Sequence, residues 1–276
     1  MNIWIITRVT FLEASRRKIL WTALLAGAAF LTLFGIGMHY QVKDLQGSRI
    51  PPLLRYQIES TLLQVGFYAI DTLAVIMTVL TSVDTISGEI ASSTIHAIAT
   101  KPQPRWQLLI GKWLGFAGMI AMFVALLFAG VLAIGRWIGG VVPHGALQGA
   151  LLIYLECLLV LTATFLFGTW FSTLANGVIV LGLHGLAFVG GWLEKIASVT
   201  DSPRLVTVGI ISSLLMPSEA LWRRASFVMQ TTLGRTVDIS PFGSQSAPSM
   251  AMVGYAIFYL LLTLALALYH FQQRDL

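Results

Sequence analysis

Charge is what this chain has least of. Only 11% of its 276 residues are Asp, Glu, Lys or Arg, where soluble globular domains average about 25%. A surface that poor in charge excludes an ordinary water-soluble fold. Cysteine is scarcer still. Cys157 stands alone, so no disulfide can form within the chain and no cysteine-based metal cluster can be built from it. It lies in an apolar run and is expected to pack as a small hydrophobe. The motifs of soluble catalysis are missing as well. Gly111-Lys112 is followed by Trp113 in place of Ser or Thr, and Trp106 stands where a phosphate-binding loop needs glycine. Neither His-Glu-x-x-His nor Gly-x-Ser-x-Gly occurs, which excludes a zinc protease of that type and an elbow-type hydrolase. No cofactor is expected in this chain.

What is there is apolar. Hydrophobic residues make up 57% of the chain and the mean hydropathy is +0.81. The expectation is an all-α integral membrane protein with a single transmembrane domain over 1–276. Spans are expected at about 19–38, 61–83, 109–134, 148–171, 177–192 and 250–271. The first is an uncharged run of the length that a hydrocarbon core about 30 Å thick requires. It is too long for a signal peptide, and Glu13 in the region before it argues the same way. Ahead of it, Ile5, Val9 and Leu12 share a helix face opposite Thr7, Glu13 and Arg17, the pattern of a helix lying in the interface. A polar loop with Pro51-Pro52 is expected over 39–60, a Gly/Pro turn over 135–147, and a hairpin of the fourth and fifth spans at 172–176.

The segment 205–233 is expected to be an outer re-entrant or amphipathic piece, because its apolar run is too short to span. Ser218 reads as the N-cap of a helix, with Glu219 in its first turn against the positive dipole end. That helix, with Leu221, Ala225 and Val228 on one side, is expected on the outer surface. The tryptophans, Trp222 included, fall where an aromatic belt would put them. Gly111 and Gly115, and again Gly145 and Gly149, sit four apart, a spacing that lets helix backbones approach closely.

One polar interruption carries an ordered pattern. In DTISGEIASSTIHAIATKPQPRWQLLIGKW (84–113), Ala91, Ile95 and Ile98 recur at helical spacing as one apolar stripe. Pro102 and Pro104 then end the helix. The order Glu89, Thr94-Ile95, Lys101-Pro102, Arg105, Gly111-Lys112 resembles the first cytoplasmic loop of type-2 ATP-binding-cassette transporter permeases. The stretch Met216 to Trp222 and the Arg274-Asp275-Leu276 ending extend the likeness. Ser93 departs from it, standing where that family commonly has glycine. The resemblance implies that 84–106 holds a coupling helix docking on a separate ATPase subunit, through Glu89, Ala91, Thr94, Ile95, Ile98, Lys101 and Arg105. It further implies two copies of that ATPase, which would bind ATP and Mg2+, and a second copy of the permease. A cell-membrane (inner or cytoplasmic membrane) location is implied as well. Outward transport follows from the lack of any loop resembling a dock for an external binding protein.

The net charge of +5 is spread over segment ends, which suits membrane flanks and a lipid environment rather than nucleic acid. With both termini cytoplasmic, eight basic residues lie inside and nine outside, but five of those nine sit in the long loop after the fifth span. Long loops carry little topological weight, so both ends are expected in the cytoplasm. Inside the spans, Asp71, Glu156 and His184 are costly in hydrocarbon and are candidates for a substrate path. The same residues support an alternative, an intramembrane enzyme or a proton-driven secondary transporter. An enzyme would leave the 84–105 loop without a role. A secondary transporter would be expected to carry an internal repeat, and none is visible.

The topology is testable. In a Cys157→Ala background, cysteines replacing Ser48 or Ser244 should react with an impermeant thiol reagent on intact cells. A cysteine replacing Ser92 should react only after the membrane is opened. The opposite pattern would invert the orientation.

Overall fold

The computed structural model describes residues 3–91, 104–200, 202–231 and 248–273, which are helical with no strand among them. The helices are α1 (Ile3–Arg16), α2 (Lys18–Gly47), α3 (Pro52–Ser82), α4 (Asp84–Ala91) and α5 (Arg105–Ile134), the last extended by a π turn at Gly135–Gly139. Then follow α6 (Ala146–Gly168), α7 (Thr173–Thr200), α8 (Pro203–Leu215), α9 (Ser218–Met229) and α10 (Met250–Gln273). Among the described residues, six helices are long and apolar enough to cross a membrane: α2, α3, α5, α6, α7 and α10. Helix is what hydrocarbon demands, because each backbone amide then finds its partner within its own segment. Buried hydroxyls obey the same rule. Thr78, Thr81, Ser82 and Thr164 each donate to the carbonyl four residues back.

The bundle is built around α3 and α6. In each, 61% of the most apolar window is buried, against 11% in α2 and 22% in α10, which face outward. Phe67 of α3 stacks on Phe128 of α5 at 4.6 Å, and Phe116 of α5 meets Phe165 of α6 edge-on at 6.2 Å. Cys157 is buried in this core, as a small hydrophobe should be.

Several helices run past their apolar segments. The polar loop expected over 39–60 is instead helix on both sides of a connection at 48–51. Polar residues beyond the bilayer do not end a helix, but the paired prolines do: Pro52 takes the first turn of α3, where its missing N–H costs nothing. Ser48 Oγ and Arg55 Nη2 both donate to the Leu45 carbonyl, at 2.9 and 2.7 Å, closing the end of α2. The turn expected over 135–147 is likewise shorter. The π turn continues α5, and the chain reverses over 140–145, with Gly140 and Gly145 both left-handed.

Helix α1 lies against α5, burying Ile6, Thr10 and Ala14. Trp4, Ile5, Val9 and Leu12 remain exposed, an apolar face suited to the lipid interface. The contact depends on missing side chains, for a Cβ on Gly111 would strike Ile6 and one on Gly115 would strike Thr10.

Helix α9 does not lie on the surface as its sequence suggests. It bends 104° from α8 and sinks into the bundle, with Trp222 only 2% exposed and packed edge-on to Tyr68 of α3 at 5.1 Å. Trp222 is therefore a core residue and not part of an aromatic belt. The physical reason is room made by glycine: Gly145 and Gly149 of the α6 end receive Val228 and Met229, and Gly191 of α7 receives Glu219. Its polar residues are matched inside, Ser226 by Gln64 and Thr231, just beyond its end, by Gln57. Trp113, another residue placed in the belt, instead donates its indole N–H inward to Thr162 Oγ1 at 3.0 Å.

A Cβ at Gly115 would stand 2.8 Å from Thr10 Cβ and 3.0 Å from the Thr7 carbonyl oxygen. Gly115→Leu should therefore lower stability by about 1–3 kcal/mol, read as a lower Tm of the purified protein. Gly118→Ala, with nothing nearer than the Phe11 ring at 3.7 Å, should leave the Tm almost unchanged. Equal Tm values would mean that this seam does not hold α1.

Candidate functional site

Two polar regions stand out, at different depths of the bundle. The first is the base of the loop that follows α3. Helix α4 leaves α3 at Val83 and is gripped from several sides. Arg17, at the α1–α2 junction, donates to Asp84 Oδ1 at 2.6 Å and to Glu13 Oε1 at 3.2 Å. Burial works against the Arg17 charge, but the hydrogen bonds and charges of Asp84 and then Glu13 more than offset it, so the guanidinium is held above its ordinary range. The pair is partly exposed, with side chains 26% and 44% accessible, and contributes about 0–1 kcal/mol. Its consequence is orientation. Ser87 Oγ lies 2.8 Å from Thr173 Oγ1 at the start of α7, and Ile86 packs on Gly168 at the end of α6. Asn176 of α7 donates to the Thr164 carbonyl at 3.0 Å and to the Val83 carbonyl at 3.3 Å, joining α6, α7 and the α3–α4 bend.

Of the residues expected to contact an ATPase, Glu89 and Ala91 fall at the end of α4. Thr94, Ile95, Ile98 and Lys101 lie outside the described residues. Arg105 opens α5 and donates to the Gln272 carbonyl near the end of α10 at 3.3 Å. Both stems of the loop are thus attached to other helices.

The second region lies deep in the bundle, and here the structure assembles what the sequence leaves scattered. Asp71 of α3 and Glu156 of α6 interact through their carboxyls. His184 of α7 places Nδ1 3.8 Å from Glu156 Oε1 and 3.1 Å from Ser218 Oγ. Glu219, the next residue of α9, acts on both Asp71 and Glu156. The residues that the sequence singled out one by one therefore share one locus, with Ser218 and Glu219 added. Ser218 is not the N-cap that its position suggests. Pro217 occupies the cap with no side-chain hydrogen bond, while Ser218 is already helical and turns its hydroxyl to His184. Close packing of α7 on the bent pair makes this possible: Gly190 meets Ser212, Gly191 meets Glu219, and Gly209 meets Glu194. A signal for Glu219 was visible in the sequence, an acid just after a proline-broken apolar run, but burial was not. Arg17, Ser87, Thr173 and Asn176 carried none, being ordinary residues near span ends.

Beside this region, a cleft of about 220 Å3 opens between α8, α9 and α10. Ile210, Leu214, Ala220 and Met252 line it together with the Glu194–Arg223 ion pair.

No curated protein matches the sequence. The family model described as ABC-2 family transporter protein matches residues 13–276, which is nearly the whole chain. Members of that family are membrane subunits of transport rather than catalysts, and the family implies an ATP-binding partner. With six apolar helices and a match of that extent, the chain belongs to the ABC-2 transporter family as a multi-pass membrane permease.

Proposed function

We propose that this permease is the membrane half of an ATP-driven exporter. Two copies form the path, and two copies of a separate cassette ATPase, holding ATP and Mg2+, dock on the 84–105 loop. The membrane is the cell membrane and both termini are cytoplasmic. The observation that carries this reading is how the loop is mounted. Its first stem, α4, is tied through Arg17 to the α1–α2 junction and through Ser87 to α7, and it packs on Gly168 at the end of α6. A force applied to such a loop moves several spans together, as coupling to a motor requires. A solvent loop with no such role would need none of these attachments.

Docking itself is assigned to the stripe of Ala91, Ile95 and Ile98, rimmed by Glu89, Thr94, Lys101 and Arg105. Co-expression with a cassette ATPase encoded beside this chain should yield a complex of two permeases and two ATPases. Ile95→Asp would bury an unpaired carboxylate at the contact, a cost of several kcal/mol, and weaken docking roughly a hundredfold. Glu89→Lys should cost only about 0–1 kcal/mol, as exposed ion pairs do. Co-purification, ATPase activity in vesicles and membrane level are measured for each variant. An Ile95→Asp protein at normal level that keeps an active ATPase would exclude this stretch as the coupling element.

A further inference from the structure

Helix α1 has two faces, and its contact with α5 accounts for only one of them. Ile6, Thr10 and Ala14 are buried, the first two against Gly111 and Gly115. Away from that seam, Trp4, Arg8, Leu12 and Arg16 recur at a spacing of four, so they form one row along the helix. Ile5 and Val9 form the row beside it, and every one of these side chains is exposed. Such a face suits neither bulk water, to which Trp4 is 74% exposed, nor hydrocarbon, in which arginine is costly. Its charge is also unbalanced. Arg8, Arg16, Arg17 and Lys18 are met by only two acids, Glu13 and Asp84, and Arg17 holds both of them. The side chains of Arg8, Arg16 and Lys18 have no hydrogen-bond or ion-pair partner among the described residues.

We propose that this face of α1 binds anionic phospholipid in the leaflet at which α1 joins α2. Connectivity brings the membrane to it. Only Arg17 separates α1 from the span α2, and α1 has 14 residues, so it is about 21 Å long and stays within reach of the headgroups. Trp4, Ile5, Val9 and Leu12 enter the boundary between headgroups and acyl chains, where an indole ring is well placed. Arg8 and Arg16 lie in the same row, and their apolar stems carry each guanidinium out to the phosphates, whose oxygens it can meet in pairs. A zwitterionic headgroup balances its own phosphate, whereas an anionic one leaves negative charge for the unmatched arginines. A second copy of the same face is the poorer occupant, since it would set arginine against arginine. Arg17 follows directly on α1 and donates to Asp84 at 2.6 Å, so lipid that seats α1 also fixes the anchor of α4.

The test needs no ATPase, and its outcome is independent of whether the loop docks one. The full-length permease is reconstituted into vesicles of phosphatidylcholine and phosphatidylglycerol in equal parts. One lipid or the other is brominated near the headgroup end of its chains, and quenching of tryptophan fluorescence is measured. The share due to Trp4 is the difference between the unaltered protein and Trp4→Phe. Phosphatidylglycerol should be enriched at Trp4 over phosphatidylcholine by about fivefold or more, the effect expected of one basic group at an anionic surface. Arg8→Gln combined with Arg16→Gln should bring the ratio close to one, as should high salt. Both side chains are exposed, so the Tm of that variant in neutral detergent should not change. Arg136→Gln, at the far end of α5, should leave the ratio as it is. If the double variant does not fold, the salt dependence of the ratio in the unaltered protein decides in its place. Equal quenching by the two lipids overturns the proposal, as does an enrichment that survives both substitutions in folded protein. So does an equal loss with Arg136→Gln, which would make the effect one of overall charge. Absence of quenching at Trp4 by either lipid overturns it too, since protein would then cover the face.

Discussion

A polar group inside hydrocarbon has to find its partner within the protein, and most of this structure follows from that requirement. It makes every apolar segment a helix and turns the hydroxyls of Thr78, Thr81 and Thr164 back onto their own carbonyls. It also draws polar residues of α9 and its C-terminal end inward, where Gln64 meets Ser226 and Gln57 meets Thr231. Helix α9 can be mostly buried yet amphipathic because its polar atoms are matched by Gln64 of α3 and His184 of α7, and its bulk by glycines at α6 and α7. The carboxyls of Asp71 and Glu156 answer it by meeting each other across α3 and α6.

The helical architecture was readable because hydropathy over about 20 residues is a strong signal in a chain with so little charge. Helix ends were less so. A 30-residue helix such as α2 is about 45 Å long, well beyond the hydrocarbon, and its polar end reads as loop although the backbone simply continues. Pro51 and Pro52 marked the break correctly because proline acts on local geometry, which needs no tertiary information. The depth of α9 was hidden for the opposite reason. Leu221, Ala225 and Val228 describe one apolar side, but Glu219 and Ser226 are buried too, the first against the notch at Gly191 and the second against Gln64.

The candidate sites divide in the same way. Asp71, Glu156 and His184 were conspicuous singly, since ionisable residues in apolar runs stand out by composition. Their convergence was not visible, because it rests on contacts between α3, α6, α7 and α9 that no sequence spacing encodes. Ser218 shows how a local rule misleads here. A serine after proline and before glutamate reads as a cap, yet its hydroxyl serves His184 of another helix. At the loop, the mounting through Arg17, Thr173 and Asn176 depends on which span ends the bundle brings together, which no sequence period encodes.

These two regions share their helices. Asp71 lies 13 residues before Asp84 on α3 and its α4 extension, and His184 lies 11 residues after Thr173 on α7. At 1.5 Å per residue the separations are about 20 Å and 17 Å along helices that hydrocarbon keeps intact. Glu156 likewise precedes Gly168, against which Ile86 packs, on the one helix α6. Each of the three helices that present an acid or His184 from the membrane interior therefore also touches the stem of the loop. Under the proposed function, a shift of α4 is delivered to the cluster along α3, α6 and α7 without any softer element between. The fourth side, α9, packs on α6, α7 and α3. The His184–Ser218 bond and the contact of Gly191 with Glu219 both cross the boundary between α7 and α9, so relative motion of these helices would act on both.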